Sequence, residues 1–132
     1  VRQVCIIAMS DGLIPKIAGS LRDSGMEPVL IQHRGQSFDV RRPFVAVSTS
    51  RLVGGQEFDG VVIVGVEAGV FPARVSNEPL AAALEQEALR ALYLSFTRAR
   101  FQAHVALERG AQVTRLLDSA LSEGLLLEES DE

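Results

Sequence analysis

The residues best equipped for chemistry are the arginines of Thr97-Arg98-Ala99-Arg100. A guanidinium aimed at a transferring phosphoryl group stabilises charge that develops only in the transition state. The plainer alternative is a pair of solvated arginines near a helix C-terminus, where positive charge is favoured. The spacing predicts that both sit on one long helix, where two residues apart means about 200° around the axis. On that reading they cannot both line one small site: if one serves catalysis, the other serves structure. Gly54-Gly55 is the chain's one glycine pair. It reads either as a simple turn between strands or as a loop whose backbone passes close to a ligand. Glu57 follows at the edge of the next strand, and its carboxylate can accept hydrogen bonds from a ribose hydroxyl or face water as an ordinary surface acid. Arg34, Arg41, Arg42 and Arg51 gather mid-chain, as a phosphate-binding patch or as solubilising charge.

Other chemistries are poorly served. There is no GxxxxGK[ST], so no phosphate-cradling loop, and no GxSxG or HExxH. Cys5 is alone, which excludes an intrachain disulfide and a multi-cysteine zinc site. His33 and His104 are too few and too scattered for a metal centre, so no metal ligands are assigned. The formal charge of −4 gives no global nucleic-acid signature. Local placement of charge can still create a binding groove.

At 132 residues the chain fits one domain. It is 47% hydrophobic, with Tyr93 as its one tyrosine and no tryptophan, so its core must be mainly aliphatic. No run of 18 apolar residues and no signal peptide appear, which predicts a soluble, cytoplasmic protein without a membrane partner.

The pattern supplies elements to hold these residues. Val4 to Met9 is a short apolar run, as in a strand buried on both faces. Ser10 and Asp11 can cap a helix over 13–24, with Pro15 in its first turn and Gly25 stopping it. Strands are predicted at 27–32, from about Phe44, at 60–65 and at 102–108. Pro79 opens the strongest helix, predicted over 80–100, with Leu80, Leu84, Ala88, Leu92 and Phe96 on one face. A closing helix is predicted over 112–124, followed by an acidic tail at 127–132. Apolar strands alternating with helices imply an α/β fold, a mostly parallel sheet with helices on both faces. Ligands of such sheets sit at the strands' carboxyl ends. That predicts one rim carrying Ser10, residues 49–58 and residues 66–72.

Two segments carry a family resemblance. VSTSRLVGGQEFDGVVIVG, residues 47–65, resembles motif V of UvrD/Rep/PcrA-type superfamily-1 DNA helicases, and EAGVFP resembles the segment that follows it. LYLSFTRAR, residues 92–100, resembles motif VI, with Glu85 and Glu87 echoing the acidic stretch before it. The opening strand and helix resemble the motif IV region more loosely. The likeness runs through nearly the whole chain in the family's order.

The resemblance implies the second RecA-like motor domain over residues 1–126, a P-loop-NTPase-type fold lacking its own P-loop. ATP and Mg²⁺ would then bind jointly with the first RecA-like domain, the N-terminal partner in the parent chain. Single-stranded DNA would cross both domains. Carried over by position, Arg98 is the catalytic arginine facing the γ-phosphate. Gly55, Glu57 and Tyr93 join it at the nucleotide, while Thr49 and Arg51 face DNA. DNA repair is the implied setting. The start at Val1 rather than Met fits an excised fragment. Departures also occur: Gly54 stands where the family has lysine, Gln56 for leucine, Arg51 for histidine, and Met9 about where an arginine is usual. Two cations expected near nucleotide and DNA are thereby absent. The alternative implied is a non-catalytic RecA-like association module.

Overall fold

The structure, a computed structural model, describes residues 2–39 and 41–129. Five parallel strands form one sheet: β1 (Gln3–Ala8), β2 (Val29–Leu30), β3 (Phe44–Thr49), β4 (Phe58–Val64) and β5 (Ala99–Val105), in the order β2-β3-β1-β4-β5. The helices are α1 (Leu13–Asp23), α2 (Glu78–Phe96) and the short α3 (Asp118–Ser122). The α/β class with a parallel sheet is therefore as expected, and all of the pairings are parallel.

Register explains the core. Cys5 lies level with Ala46 and Val61, and Ile7 with Ser48 and Ile63. These residues share one face, and all six are buried. Burial pushes the Cys5 thiol up to about 12, so it behaves as a small hydrophobe. Part of this face is covered by α2, whose Leu92 packs with Ile63, Val66 and Leu117. The other part lies under Val53, Phe38 and Phe44. Helix α1 lies over the opposite face, where its Leu13, Ile17 and Leu21 line a groove with Ile6 and Val64. Both faces carry helices, as expected, but unequally: Val4, Ile6, Val62 and Val64 remain only half-buried.

Local chemistry sets the boundaries, and several differ from the sequence reading. Helix α1 ends as predicted. Gly25 has φ +86°, its N–H bonds Arg22 C=O, and Met26 N–H reaches Leu21 C=O, a Schellman ending. The helix also starts at Leu13 as predicted, but the cap differs: Gly12 is the N-cap and makes no side-chain bond. Asp11 is engaged by Arg51 instead. Helix α2 begins where the Asn77 side chain accepts from Leu80 N–H, and it stops at Phe96, four residues short of the predicted end. Arg98 then stands in a turn and Arg100 on β5, so the helical angle between them does not apply. The closing helix is reduced to a 3₁₀ turn at Arg115–Leu117 and the five residues of α3. Residues 112–114 are instead held beside 66–68 by a Glu67–Val113 bridge and two backbone bonds. Predicted strand 27–32 pairs only at Val29 and Leu30. Of the acidic tail, 130–132 lie outside the described residues.

The single-rim expectation is also corrected. Strand β3 ends at Thr49 on the carboxyl edge, and parallel β4 begins at Phe58 on the amino edge. The segment between them crosses the sheet without a helix. Its Val53 is fully buried against the core as it passes.

Candidate functional site

The crossing segment separates the predicted site residues into two groups. At the carboxyl edge, Leu52 N–H bonds Thr49 C=O as the chain leaves β3. Thr49 is 6% exposed, and its Oγ1 is buried without a hydrogen-bond partner among the described residues. Arg51 is exposed, but Nη2 holds both carboxylate oxygens of Asp11, at 3.0 and 2.9 Å. Arg41 and Arg42 likewise pair with Asp39. Three of the four mid-chain arginines are thus matched with acids, which reduces the positive field available to a DNA phosphate.

Toward the amino edge, Gln56 N–H bonds Val53 C=O across Gly54-Gly55. Gly55 has φ +82° and Gly54 does not have positive φ, the pattern of a type II turn, which needs glycine at its third position. Gly55 is exposed, so its backbone is open to a ligand. Glu57 is exposed too, and its carboxylate has no partner among the described residues. Phe58 is 1% exposed and meets the Phe38 and Phe44 rings at 6.1 and 6.3 Å. This buried ring anchors the loop beside an accessible acid.

Arg98 joins this second group. Nη1 donates to Gln56 C=O at 3.1 Å, Nε to Leu94 C=O at 3.2 Å, and Nη2 to Thr97 Oγ1 at 3.3 Å. All three acceptors are neutral, so the positive charge is positioned but not cancelled. A guanidinium has five N–H groups, and two remain for an anion. Phe58 N–H also bonds Arg98 C=O at 2.8 Å, which fixes the turn to the start of β4. Tyr93 stands one turn earlier on α2 and is 73% exposed. The structure therefore brings Gly55, Glu57 and Arg98 to one region, with Tyr93 on the adjoining helix end. Thr49 and Arg51 belong to the opposite edge.

Asp59, to which the sequence pattern assigns no role, completes the Glu57-Phe58-Asp59 triplet. One oxygen accepts from Arg2 N–H and Gln3 N–H, both at 3.0 Å, and the other faces Arg100 Nε at 3.4 Å. Arg100 Nη2 also donates to Gln3 Oε1 at 2.9 Å. These bonds tie β1, β4 and β5 together. The two backbone donors, with Arg100 adding to them, hold the Asp59 carboxyl below its ordinary value. Met9, predicted to stand where a cation is usual, packs against both core clusters. Among the described residues no group of His, Cys, Asp and Glu is arranged to hold a metal ion, and no helix is long and apolar enough to cross a membrane.

No family model matches the chain, and no curated protein matches it. Among solved structures, it is similar to the C-terminal domain of a possible DNA helicase from Lactobacillus plantarum WCFS1, at 24% identity and a TM-score of 0.63. The match covers 88% of this chain and 61% of that one. The chain thus spans about three-fifths of that structure's length and shares its fold.

Proposed function

We propose that this chain is the second RecA-like motor domain of a UvrD/Rep-type ATP-dependent DNA helicase, contributing one wall of an ATP site and part of a single-stranded DNA track. The observation that carries the reading is the Arg98 guanidinium, held by three neutral oxygens beside the accessible Glu57 and Gly55. The shared fold with a domain of a possible helicase supports the same reading.

These residues fit one side of a nucleotide. Arg98 has N–H groups left for phosphate oxygens, Glu57 can accept from a ribose hydroxyl, and the Gly55 backbone allows close approach. Tyr93 offers a ring at the end of the same helix. The chain contains no loop that cradles β- and γ-phosphates, so that wall, together with the Mg²⁺ ligands, falls to the N-terminal RecA-like domain. ATP with Mg²⁺ supplies the phosphoryl group whose transfer drives movement. Arg98 is held still while the negative charge grows, so its contribution is greatest in the transition state. Thr49 and Arg51, at the far end of the crossing segment, lie on the DNA side in this reading, with Arg51 the exposed member.

The experiment is phosphate release from ATP with and without single-stranded DNA. The 132-residue chain alone is expected to release none above background, whereas the parent protein turns over. DNA-stimulated hydrolysis by the purified chain would overturn the half-motor reading. A second reading, a RecA-like association module without catalysis, is favoured by the Arg51–Asp11 pair, which occupies a predicted DNA-facing cation. Absence of turnover in the parent protein would select it.

A further inference from the structure

The geometry points to Arg34 as a second phosphate-binding cation of the proposed nucleotide site, brought from the β2–β3 connection onto Gly54 and acting with Arg98 on one polyphosphate chain. The inference rests on the nucleotide reading above and assigns that site a further binding residue.

Seven arginines lie within salt-bridge distance of an acid. Among the described residues Arg34 and Arg98 do not, and neither do Arg2, Arg74 and Arg109; what sets the first two apart is where they lie. Both rest on the same strip of backbone. A Cβ at Gly54 would lie 2.8 Å from Arg34 Nη2, so the guanidinium occupies the space that a side chain there would need. Two residues on, Gln56 C=O accepts from Arg98 Nη1. Gly54 and Gln56 Cα atoms are at most about 7 Å apart, so the two side chains rest on neighbouring points of that strip.

The Arg34 turn is fixed to this strip. Gln56 Nε2 donates to Gln36 C=O at 2.7 Å. Gln36 in turn bonds Gln32 N–H and Leu30 C=O, which braces residues 30–36. Packing and amide bonds therefore bring the Arg34 guanidinium here, with no carboxylate of the described residues drawing it in. Two uncancelled guanidinium groups on one short, glycine-bearing strip suit a ligand with several adjacent anionic oxygens.

The test uses the 132-residue chain with inorganic tripolyphosphate as probe, followed by NMR of the arginine Nε–Hε groups. Parallel, saturable shifts of Arg34 and Arg98 are expected. Arg34→Gln should weaken binding about tenfold, the effect of losing a charged hydrogen bond. Gly54→Ala displaces only the flexible end of Arg34, and its φ tolerates a side chain, so the fold should persist while binding weakens severalfold. Arg109→Gln, beyond β5 at the other edge, controls for net charge and should bind as the parent does. If Arg98 responds while Arg34 does not and Arg34→Gln binds normally, the inference falls and the nucleotide reading stands. If neither arginine responds, both fall. An equal loss in Arg109→Gln would show bulk electrostatics and overturn the inference.

Discussion

At the scale of single residues, Glu57, Phe58 and Asp59 divide three tasks among three neighbours. Phe58 buries its ring in the core, Asp59 ties strands together, and Glu57 stays accessible. Arg98 and Arg100 divide similarly: among the described residues Arg98 is bonded to neutral oxygens, whereas Arg100 is engaged by Asp59 and Gln3. If the proposed half-motor reading holds, Arg98→Ala in the longer protein should lower ATP turnover by roughly 10³ to 10⁵, about 4 to 7 kcal/mol of transition-state stabilisation. Nucleotide affinity should fall much less. Arg98→Lys should rescue poorly, because an ammonium lacks the planar fork. Arg100→Ala should act on stability and leave turnover within a few-fold. Steady-state hydrolysis with thermal melting separates these outcomes. Near-normal turnover in a folded Arg98→Ala protein would remove the catalytic assignment.

At the scale of elements, the amino edge of the sheet depends on Asp59. Its carboxyl titrates below its ordinary value of 3.8, chiefly because Arg2 and Gln3 N–H groups bond the charged form. A depressed folded-state value contributes stability that is complete above the unfolded-state value and disappears as pH falls through the folded one. Glu85, lowered by its bond to Arg115, acts in the same direction. Urea midpoints should therefore fall as pH drops from about 5 toward 2. Asp59→Asn keeps an acceptor for the backbone donors but cannot titrate, so its acid dependence should be shallower. An unchanged slope would show that Asp59 does not couple folding to pH.

Much of this level was legible from local pattern. Apolar runs located β1, β3 and β4, and Gly25 marked the end of α1. What escaped depends on contacts distant in sequence. Thr97 and Arg98 have side chains compatible with a helix, yet their bonds to Leu94 C=O close it. Arg98 C=O is then taken by Phe58 N–H from another strand. Asp11 had the right chemistry to cap α1, but Arg51, 40 residues away, engages it. The rim containing 49–58 was misplaced because a strand–loop–strand run does not say that the loop crosses to the opposite edge. At the candidate site, residue types left Gly55, Glu57 and Arg98 each with a plain alternative and the family resemblance singled them out, whereas Arg34 against Gly54 became visible only in three dimensions.

For the molecule as a whole, charge limits what the isolated chain can grip. Its net charge is −4, and several exposed arginines are matched with acids. Binding of single-stranded DNA should be weak and engage one or two phosphates. That corresponds to a slope of roughly −0.7 to −1.4 in log K against log salt, a loss of roughly threefold to sevenfold between 50 and 200 mM. Fluorescence anisotropy with a labelled oligonucleotide measures it. Tight binding insensitive to salt would contradict this account. Arg51→Ala should reduce the slope if that residue leaves Asp11 to meet DNA, whereas an unchanged slope would remove it from the DNA track.

The crossing segment also restricts the length of the chain. From Thr49, level with Ala8, to Phe58, below Val4, the path descends about six residue steps and passes sideways over β1. That is roughly 22 Å in a straight line, against about 30 Å for nine fully extended steps. Bonds from Leu52 to Thr49 and from Gln56 to Val53 each gather part of that reserve into a turn. Almost no slack remains, so deleting one residue would pull Val53 from its buried seat or draw Phe58 out of register. Substitutions can alter what this stretch contacts, but the number of residues in it is set by the distance it has to cover.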